Sequence, residues 1–461
     1  MGDPISVAVV VDGIAIRDGL TDEARVALQA IASVGGRHRF VRADQVIARL
    51  VADTNRTVDD ATYAQLLALA RSDVTRHVLV TGRGNLGSAS DPPADPEYVD
   101  VMLSELGAAV VDLAEEARSA APIPGVMLNG TRPFGGTFPA HHITRVVSAA
   151  LAVLADPHID DAVVGAMLGP PDFAARGVIV GGFDTLGSDQ PRVTMRADVE
   201  VRRNRGNRLS VILSNVPPTI DEFDVLRQVG DLVRDIPDLR VPEGATVLNA
   251  GGQWVMWGST VKVSQNQGYG RGSFVVDTTG GDPGEIEAVL RQGLPLEVDI
   301  DCSVDLPEVT SRGALVKRWV NDAVDVIVEG VLRQSADLQQ RAATLEAALM
   351  VLDHPEVVSL LTENAGQSRD AAVASLTGPP VQLTHDQALA VASLHPATLQ
   401  RPTAADDFRR ELTDLDAARR YVSRIASRGD AAKALLAAHL ETLPTTLADK
   451  RSTQIRPTAD A

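Results

Sequence analysis

Apolar residues recur at helical spacing near the start of the chain, at Leu20, Ala24, Ala27, Leu28 and Ile31. Thr21 has the side chain of an N-cap, so the pattern predicts a helix over 21–33. Similar patterns predict helices over about 42–52 and 58–71 and a strand over 77–81. A loop containing Pro92, Pro93 and Pro96 follows, then a predicted helix from about 98 to 118. From 122 to about 307 the pattern turns to β-rich runs and glycine. Residues 177–182, 192–202, 208–214, 274–277 and 296–300 read as strands, with helices over 221–234 and 283–292. From 314 to 351 there is no proline, and Gly330 is the only glycine. Leu315, Trp319, Ala323, Ile327, Leu332, Leu338, Leu345 and Leu349 follow one another at steps of three to seven. A single helix there would span roughly 57 Å. Helical stretches over 383–394 and 404–443 complete the pattern, so two long helices bracket a small helical knot, and an antiparallel projecting pair is expected. The end, 450–461, reads as frayed.

Composition narrows the class. The chain has 461 residues, 44% of them hydrophobic, enough for large cores and two to three domains. The single cysteine, Cys302, excludes an intrachain disulfide and argues against a cysteine zinc site, so a reducing, cytoplasmic setting is expected. The apolar stretch at 7–11 is too short for a signal peptide or a membrane span, and no membrane association is expected. The net charge of −18 argues by itself against nucleic-acid binding, because phosphate affinity comes from clustered Lys and Arg.

Most motifs that stand out have a plain reading. Gly82-Arg83-Gly84-Asn85-Leu86-Gly87 has the spacing of a dinucleotide loop, but the proline-rich stretch after it cannot open the required helix. Neighbouring His141 and His142 point about 100° apart on a helix and suit a surface or capping role better than a metal. Cys302 is expected to be buried and inert. Tyr98 on pattern alone is a packing residue, since a phenol needs activation to act as a nucleophile.

Several stretches nevertheless resemble, in order along the chain, the A-type polypeptide of bacterial DNA gyrase and topoisomerase IV, the type IIA breakage-reunion component. Arg17-Asp18-Gly19-Leu20 with Arg25 and Leu28 is similar to its R-D-G-L-K-P-x-x-R-R-x-L, and Gly84-Asn85-Leu86-Gly87-Ser88 to its G-N-F-G-S. Tyr98 with Leu103 stands where the family has R-Y-T-E-x-R-L. Leu128-Asn129-Gly130 resembles L-V-N-G, and Gly169-Pro170-Pro171-Asp172-Phe173 resembles G-P-D-F-P. Arg196-Ala197-Asp198-Val199-Glu200 resembles R-A-x-x-E, and Asn215-Val216-Pro217 stands at E-I-P. The long helices match its coiled coil and exit gate.

The resemblance implies an α+β multidomain fold: a winged-helix-like domain over 1–120, an α+β tower over 121–310, and a long antiparallel coiled coil with a small helical dimerisation gate over 311–461. It implies transesterification, with Tyr98 attacking a backbone phosphate of duplex DNA; Arg83 or Arg25 is the candidate phosphate stabiliser that would compensate for the family's arginine before the tyrosine. Arg17, Arg42, Arg56, Asn85 and Arg132 would contact DNA. The partners implied are a second copy of the chain and a gyrase-B-like ATPase/TOPRIM subunit, which would hold Mg²⁺ and bind ATP. Localisation would be cytoplasmic and, with DNA bound, nucleoid-associated. No counterpart of the C-terminal β-pinwheel is expected.

The departures gather at the chemistry. The arginine before the family's tyrosine is Glu97, and the later one is Met102. The H-P-H-G-D stretch becomes Asn55-Arg56-Thr57-Val58-Asp59, and the basic helix start becomes Thr21-Asp22-Glu23-Ala24-Arg25-Val26. The loop after Gly130 is too short for the family's DNA wedge, for which Phe134 or Phe138 could substitute. Residues 42–105 carry six arginines against ten acids. These acids sit where the family's DNA gate is basic, so the alternative expectation is an inactive relative serving as a dimeric scaffold or partner-binding protein.

Overall fold

The computed structural model describes all residues except 1–9, 12–13, 16–18, 55–59, 88–91, 115–121, 135, 175–176, 189, 205–207, 215–216, 218–245, 249–253, 258–260, 266–273, 279–283, 285–287, 290–291, 293–296, 307, 364–368, 428, 448–449 and 457–461. Contacts divide the chain into two compact units, Met1–Ala323 with Ala437–Ala461, and Val324–Leu436.

The first unit opens with a short hairpin, β1 (Val10–Val11) and β2 (Ile14–Ala15). Helix α1 (Asp22–Ser33) starts where the pattern placed it. The Thr21 hydroxyl accepts the Ala24 amide at 3.2 Å, and Asp22 and Glu23 occupy the positive end of the helix dipole. Strand β3 (Val41–Arg42), α2 (Ala43–Thr54), α3 (Asp60–Ala70) and β4 (Val80–Arg83) follow.

The helix expected over 98–118 is not what forms. A 3-10 turn, Pro96–Tyr98, leads into strand β5 (Asp100–Leu103), and α4 (Glu105–Ala114) begins only afterwards. Val99, Val101 and Leu103 are buried and alternate with partly exposed Asp100 and Met102, a period of two that belongs to a strand. The Ser104 hydroxyl then accepts the Gly107 amide at 3.0 Å and starts the helix. Strands β3, β5 and β4 form an antiparallel sheet in that order, packed with α1 to α4 around Leu20, Leu28, Ile31, Val46, Leu66 and Val101.

The next stretch, expected to be strand-rich, begins with helices: α5 (Gly125–Asn129), α6 (Ile143–Ala155) and α7 (Asp161–Met167). Ile143, Val146, Val147, Ala150 and Val153 form the buried stripe of α6, so their helical spacing overrides the β-propensity of the branched residues. Strands β6 (Val178–Gly181), β7 (Arg192–Arg196), β8 (Asp198–Asn204), β9 (Arg208–Ser214), β10 (Thr246–Leu248), β11 (Trp254–Trp257), β12 (Val261–Gln265), β13 (Phe274–Thr278) and β14 (Glu297–Asp301) come next. The run expected at 192–202 splits at buried Ala197: β7 lies in a four-stranded sheet and β8 in a six-stranded one. The helix expected at 221–234 lies outside the described residues, as does most of that at 283–292.

The chain end is not frayed through 456. Strand β15 (Gln454–Ile455) adds in parallel to β6, giving the sheet order β14-β7-β6-β15.

The 41-residue helix α8 (Arg312–Leu352) matches the proline-free stretch. Helices α9 (Pro355–Glu363), α10 (Arg369–Thr377), α11 (His385–Ala392), α12 (Pro396–Leu399) and α13 (Ala404–Ser427) follow. Leu345, Ala348, Val351, Val357, Val373, Leu376, Val391 and Phe408 form the core of the second unit. The single helix expected over 404–443 is two, α13 and α14 (Gly429–Thr446). Gly429 at the junction carries the highest helix-interior cost after proline.

Candidate active site

Tyr98 ends the 3-10 turn with its side chain 68% exposed. Its amide donates to the Asp95 carbonyl at 2.9 Å, and α2 and β3 pack against the turn. The loop before it is stitched together by side chains. The Asn85 amide group donates to the Pro92 carbonyl at 3.2 Å, and its carbonyl accepts from the Gly87 amide at 2.9 Å. The Tyr63 hydroxyl donates to the Ala94 carbonyl at 2.8 Å. Gly84 has φ +100°, and a Cβ there would lie 2.6 Å from the Tyr98 carbonyl oxygen, so this close approach needs glycine.

Asp100 pairs in register with Arg42 on β3 and with Arg83 on β4. Residues directly opposed across strands share a face. The sheet therefore carries a row of cation, carboxylate and cation two residues beyond Tyr98. The Arg83 guanidinium lies 3.6 Å from the centroid of the Phe40 ring, a cation–π contact, while Arg42 pairs with Asp44 at 2.6 Å. Hydrogen bonding to Glu97, slight desolvation and the charge of Asp95 all hold the Tyr98 phenol above its ordinary value of 10.0. The phenol is thus protonated at neutral pH, among carboxylates and with Arg83 on the adjoining strand.

The other candidate residues are placed as follows. Arg25 is tied to its own helix, with Nη1 2.9 Å from Asp22 and Nη2 donating to the Leu20 carbonyl at 3.4 Å. Asn85 spends the contacts described above within its loop. Arg132 is elsewhere: it donates to the Asp301 carbonyl at 2.6 Å and lies 5.9 Å from the Phe173 ring, and burial lowers its pKa. Arg17 and Arg56 lie outside the described residues, and so does the side chain of Phe134. Phe138 is fully buried and stacks on His141 at 5.0 Å, so it is not presented as a wedge.

Two buried polar centres had no counterpart in the sequence reading. Asp172, fully buried, receives Arg76 at 2.9 Å and 3.0 Å through two nitrogens and the backbone amides of Ser452 and Thr453 at 2.8 Å each. Arg76 also donates to the Lys450 carbonyl at 2.8 Å, and Arg451 donates to the carbonyls of Pro170 and Pro171. The motif-like stretch at 169–173 thus anchors the chain end. The only forewarning was an aspartate after two prolines.

The second centre corrects the surface reading of His141, which is fully buried. Its Nε2 is 2.7 Å from Arg312, which also donates to the carbonyls of Leu186 at 2.9 Å and Gly169 at 2.6 Å. Burial and the charge of Arg312 push the His141 pKa well below 6.5, and burial brings Arg312 down to about 10. His142, by contrast, stands at the N-cap position of α6. Cys302 is buried as expected, with its thiol pushed up to about 12 by desolvation.

Among the described residues no three His, Cys, Asp or Glu side chains group as a metal site, and no helix is long and apolar enough to cross a membrane. The exposed tyrosine, with Arg83 on the adjoining strand, lies in a stretch whose motifs resemble the A-type class named above. Comparison with known proteins leads to the same class. The chain is 24% identical over 435 residues to the chloroplastic/mitochondrial DNA gyrase A protein of Arabidopsis thaliana, covering 87% of this chain and 43% of that protein. It is 22% identical over 425 residues to the corresponding protein of Nicotiana benthamiana, covering 85% and 43%. It is 25% identical over 247 residues to the DNA topoisomerase 4 A protein of Staphylococcus aureus, covering 48% and 31%. The chain spans less than half the length of these curated relatives. No family model matches it. Its relatives are the A-type polypeptides of DNA gyrase and topoisomerase IV, from which it is strongly diverged.

Proposed function

We propose that this chain is the DNA breakage-reunion subunit of an atypical type IIA topoisomerase, with Tyr98 as its nucleophile. The observation that carries this reading is the presentation of Tyr98, exposed on a stitched turn beside a strand bearing Arg83. The collinear likeness to gyrase A-type proteins supports it. Four helices packed with a three-stranded sheet in the order β3-β5-β4 suit a winged-helix-like domain over 1–120. The β-sheets suit a tower over 121–310, and the long helices a coiled coil with a dimerisation gate over 311–461. The assembly proposed is a homodimer with a gyrase-B-like ATPase/TOPRIM subunit. By the likeness to gyrase and topoisomerase IV A-type proteins, Mg²⁺ and ATP would be brought by that partner.

In the reaction the Tyr98 oxygen forms a bond to phosphorus as the bond from phosphorus to one deoxyribose oxygen breaks. The phenol proton leaves the tyrosine, and one proton ends on the freed sugar hydroxyl. One phosphoester replaces another, so the step is reversible. Arg83, already stacked on Phe40, meets the charge that grows on the phosphate without reorganising. Two copies of the chain would each cut one strand.

A second reading, an inactive dimeric scaffold, is favoured by Glu97. Its carboxylate holds the phenol protonated and stands where a phosphate would need a cation. A stabiliser of this kind is worth about 10²–10³ in rate. The deciding experiment mixes the full chain with a gyrase-B-type subunit, Mg²⁺ and duplex DNA, and quenches in detergent. The first reading expects DNA covalently bound to the chain, absent with Tyr98→Phe and more abundant with Glu97→Arg. No adduct from wild type, where a conventional gyrase gives one, selects the scaffold.

A further inference from the structure

The second unit contains an open groove of about 650 Å³ between α8 and α13. Arg419, Arg420 and Arg424 of α13 line it, with the hydroxyls of Ser335 and Ser423 and the carboxamide of Gln339 beside them. Asp416 is the only acid among the described residues of the lining, and it pairs with Arg419 at 3.3 Å. We propose that this groove binds a phosphate group of a polyanion, independently of Tyr98.

The distribution of charge along α13 carries the proposal. Residues 404–416 hold five acids and two arginines, whereas 417–428 hold four arginines and no acid. In the N-terminal half the cations are matched within the helix, Arg409 by Asp406 at 3.2 Å and Arg410 by Asp407 at 3.8 Å. At the groove the lining holds three guanidinium groups from the C-terminal half against the single carboxylate of Asp416, in a chain of net charge −18. The helix dipole accounts for a cation in the last turn, such as Arg424, but its effect fades beyond that turn. Arg419 is matched by Asp416, as Arg409 is by Asp406, but Arg420 beside it, about two turns from the end at Ser427, needs another reason. Arginine forks match phosphate oxygens two at a time, and hydroxyl and carboxamide donors complete the shell of an oxyanion.

The test uses the full chain and inorganic tripolyphosphate in titration calorimetry at low ionic strength. Saturable binding near one per chain is expected. Replacing both Arg419 and Arg420 by Gln should weaken it at least about ten-fold, with Arg420→Lys alone intermediate because it keeps the charge and loses the fork. The matched control replaces Arg409 and Arg410 by Gln, the same charge change on the same helix outside the groove, and should bind as wild type. All variants should show wild-type thermal unfolding by circular dichroism. A 20-base-pair duplex identifies the natural source. Competition that also depends on Arg419 and Arg420 points to a nucleic-acid backbone, and tripolyphosphate binding without competition points to a small polyphosphate. Absence of saturable binding, or equal weakening in the two double variants, overturns the proposal. Tyr98→Phe should leave the groove unaffected, so this reading and that of Tyr98 fail separately.

Discussion

The Tyr98 turn and the Asp172 junction both derive from stretches that resemble motifs of one family, yet their surroundings treat them in opposite ways. Tyr98 is 68% exposed and surrounded by carboxylates, whereas Asp172 is fully buried and met by four donors. Water screens the unmatched acids around Tyr98, so the fold tolerates them at little cost. No such screening exists at Asp172, where a lone carboxylate would be prohibitive, and each oxygen is satisfied. An exposed site can carry charges arranged for chemistry, while a buried one must first balance its own.

Three outcomes would break or sharpen that contrast. The largest effect belongs to Asp172→Ala, which leaves Arg76 buried without its carboxylate and frees the amides of Ser452 and Thr453. We expect a loss of about 3–5 kcal/mol in urea unfolding of the first unit. A loss under about 1 kcal/mol would mean that the junction does not hold the chain end.

The next concerns His141, whose folded pKa lies well below its ordinary 6.5 because of burial and Arg312. A depressed pKa means that the unfolded chain binds the proton more tightly. Stability is therefore full above about pH 6.5 and falls as pH drops toward the folded pKa, by up to about 1.4 kcal/mol per pH unit. His141→Gln keeps an acceptor for Arg312 but does not titrate, so the difference between its curve and wild type should isolate this slope. Parallel curves would show that His141 contributes none.

The smallest effect on folding is that of Tyr98→Phe, whose unfolding midpoint should superimpose on wild type. A shifted midpoint would mark Tyr98 as a packing residue and weaken its reading as a nucleophile.

Much of the architecture was legible because it depends on short-range pattern. Helix α1 with its Thr21 cap and the 41-residue α8 follow from spacing alone. Where the reading failed, two local signals competed. Valines at 99 and 101 followed a tyrosine and preceded a helix, and the strand was absorbed into that helix. The stretch of α6 is passed over within a region that reads as strand-rich, although its apolar spacing is helical. The chain end was misjudged because nothing local in 450–456 shows that Asp172 and β6 will receive it.

At the candidate site the sequence sufficed for the identity of Tyr98 and its acidic neighbours, which are local properties, while the loop contacts of Asn85 and the close approach at Gly84 emerged from the structure. Only the tertiary structure decided that Arg42, Asp100 and Arg83 stand in one row, that Arg83 rests on Phe40, and that Arg132 serves another place. The reason is that register and burial join residues far apart in the chain. A charge can be judged usable or merely balanced only once its spatial neighbours are known.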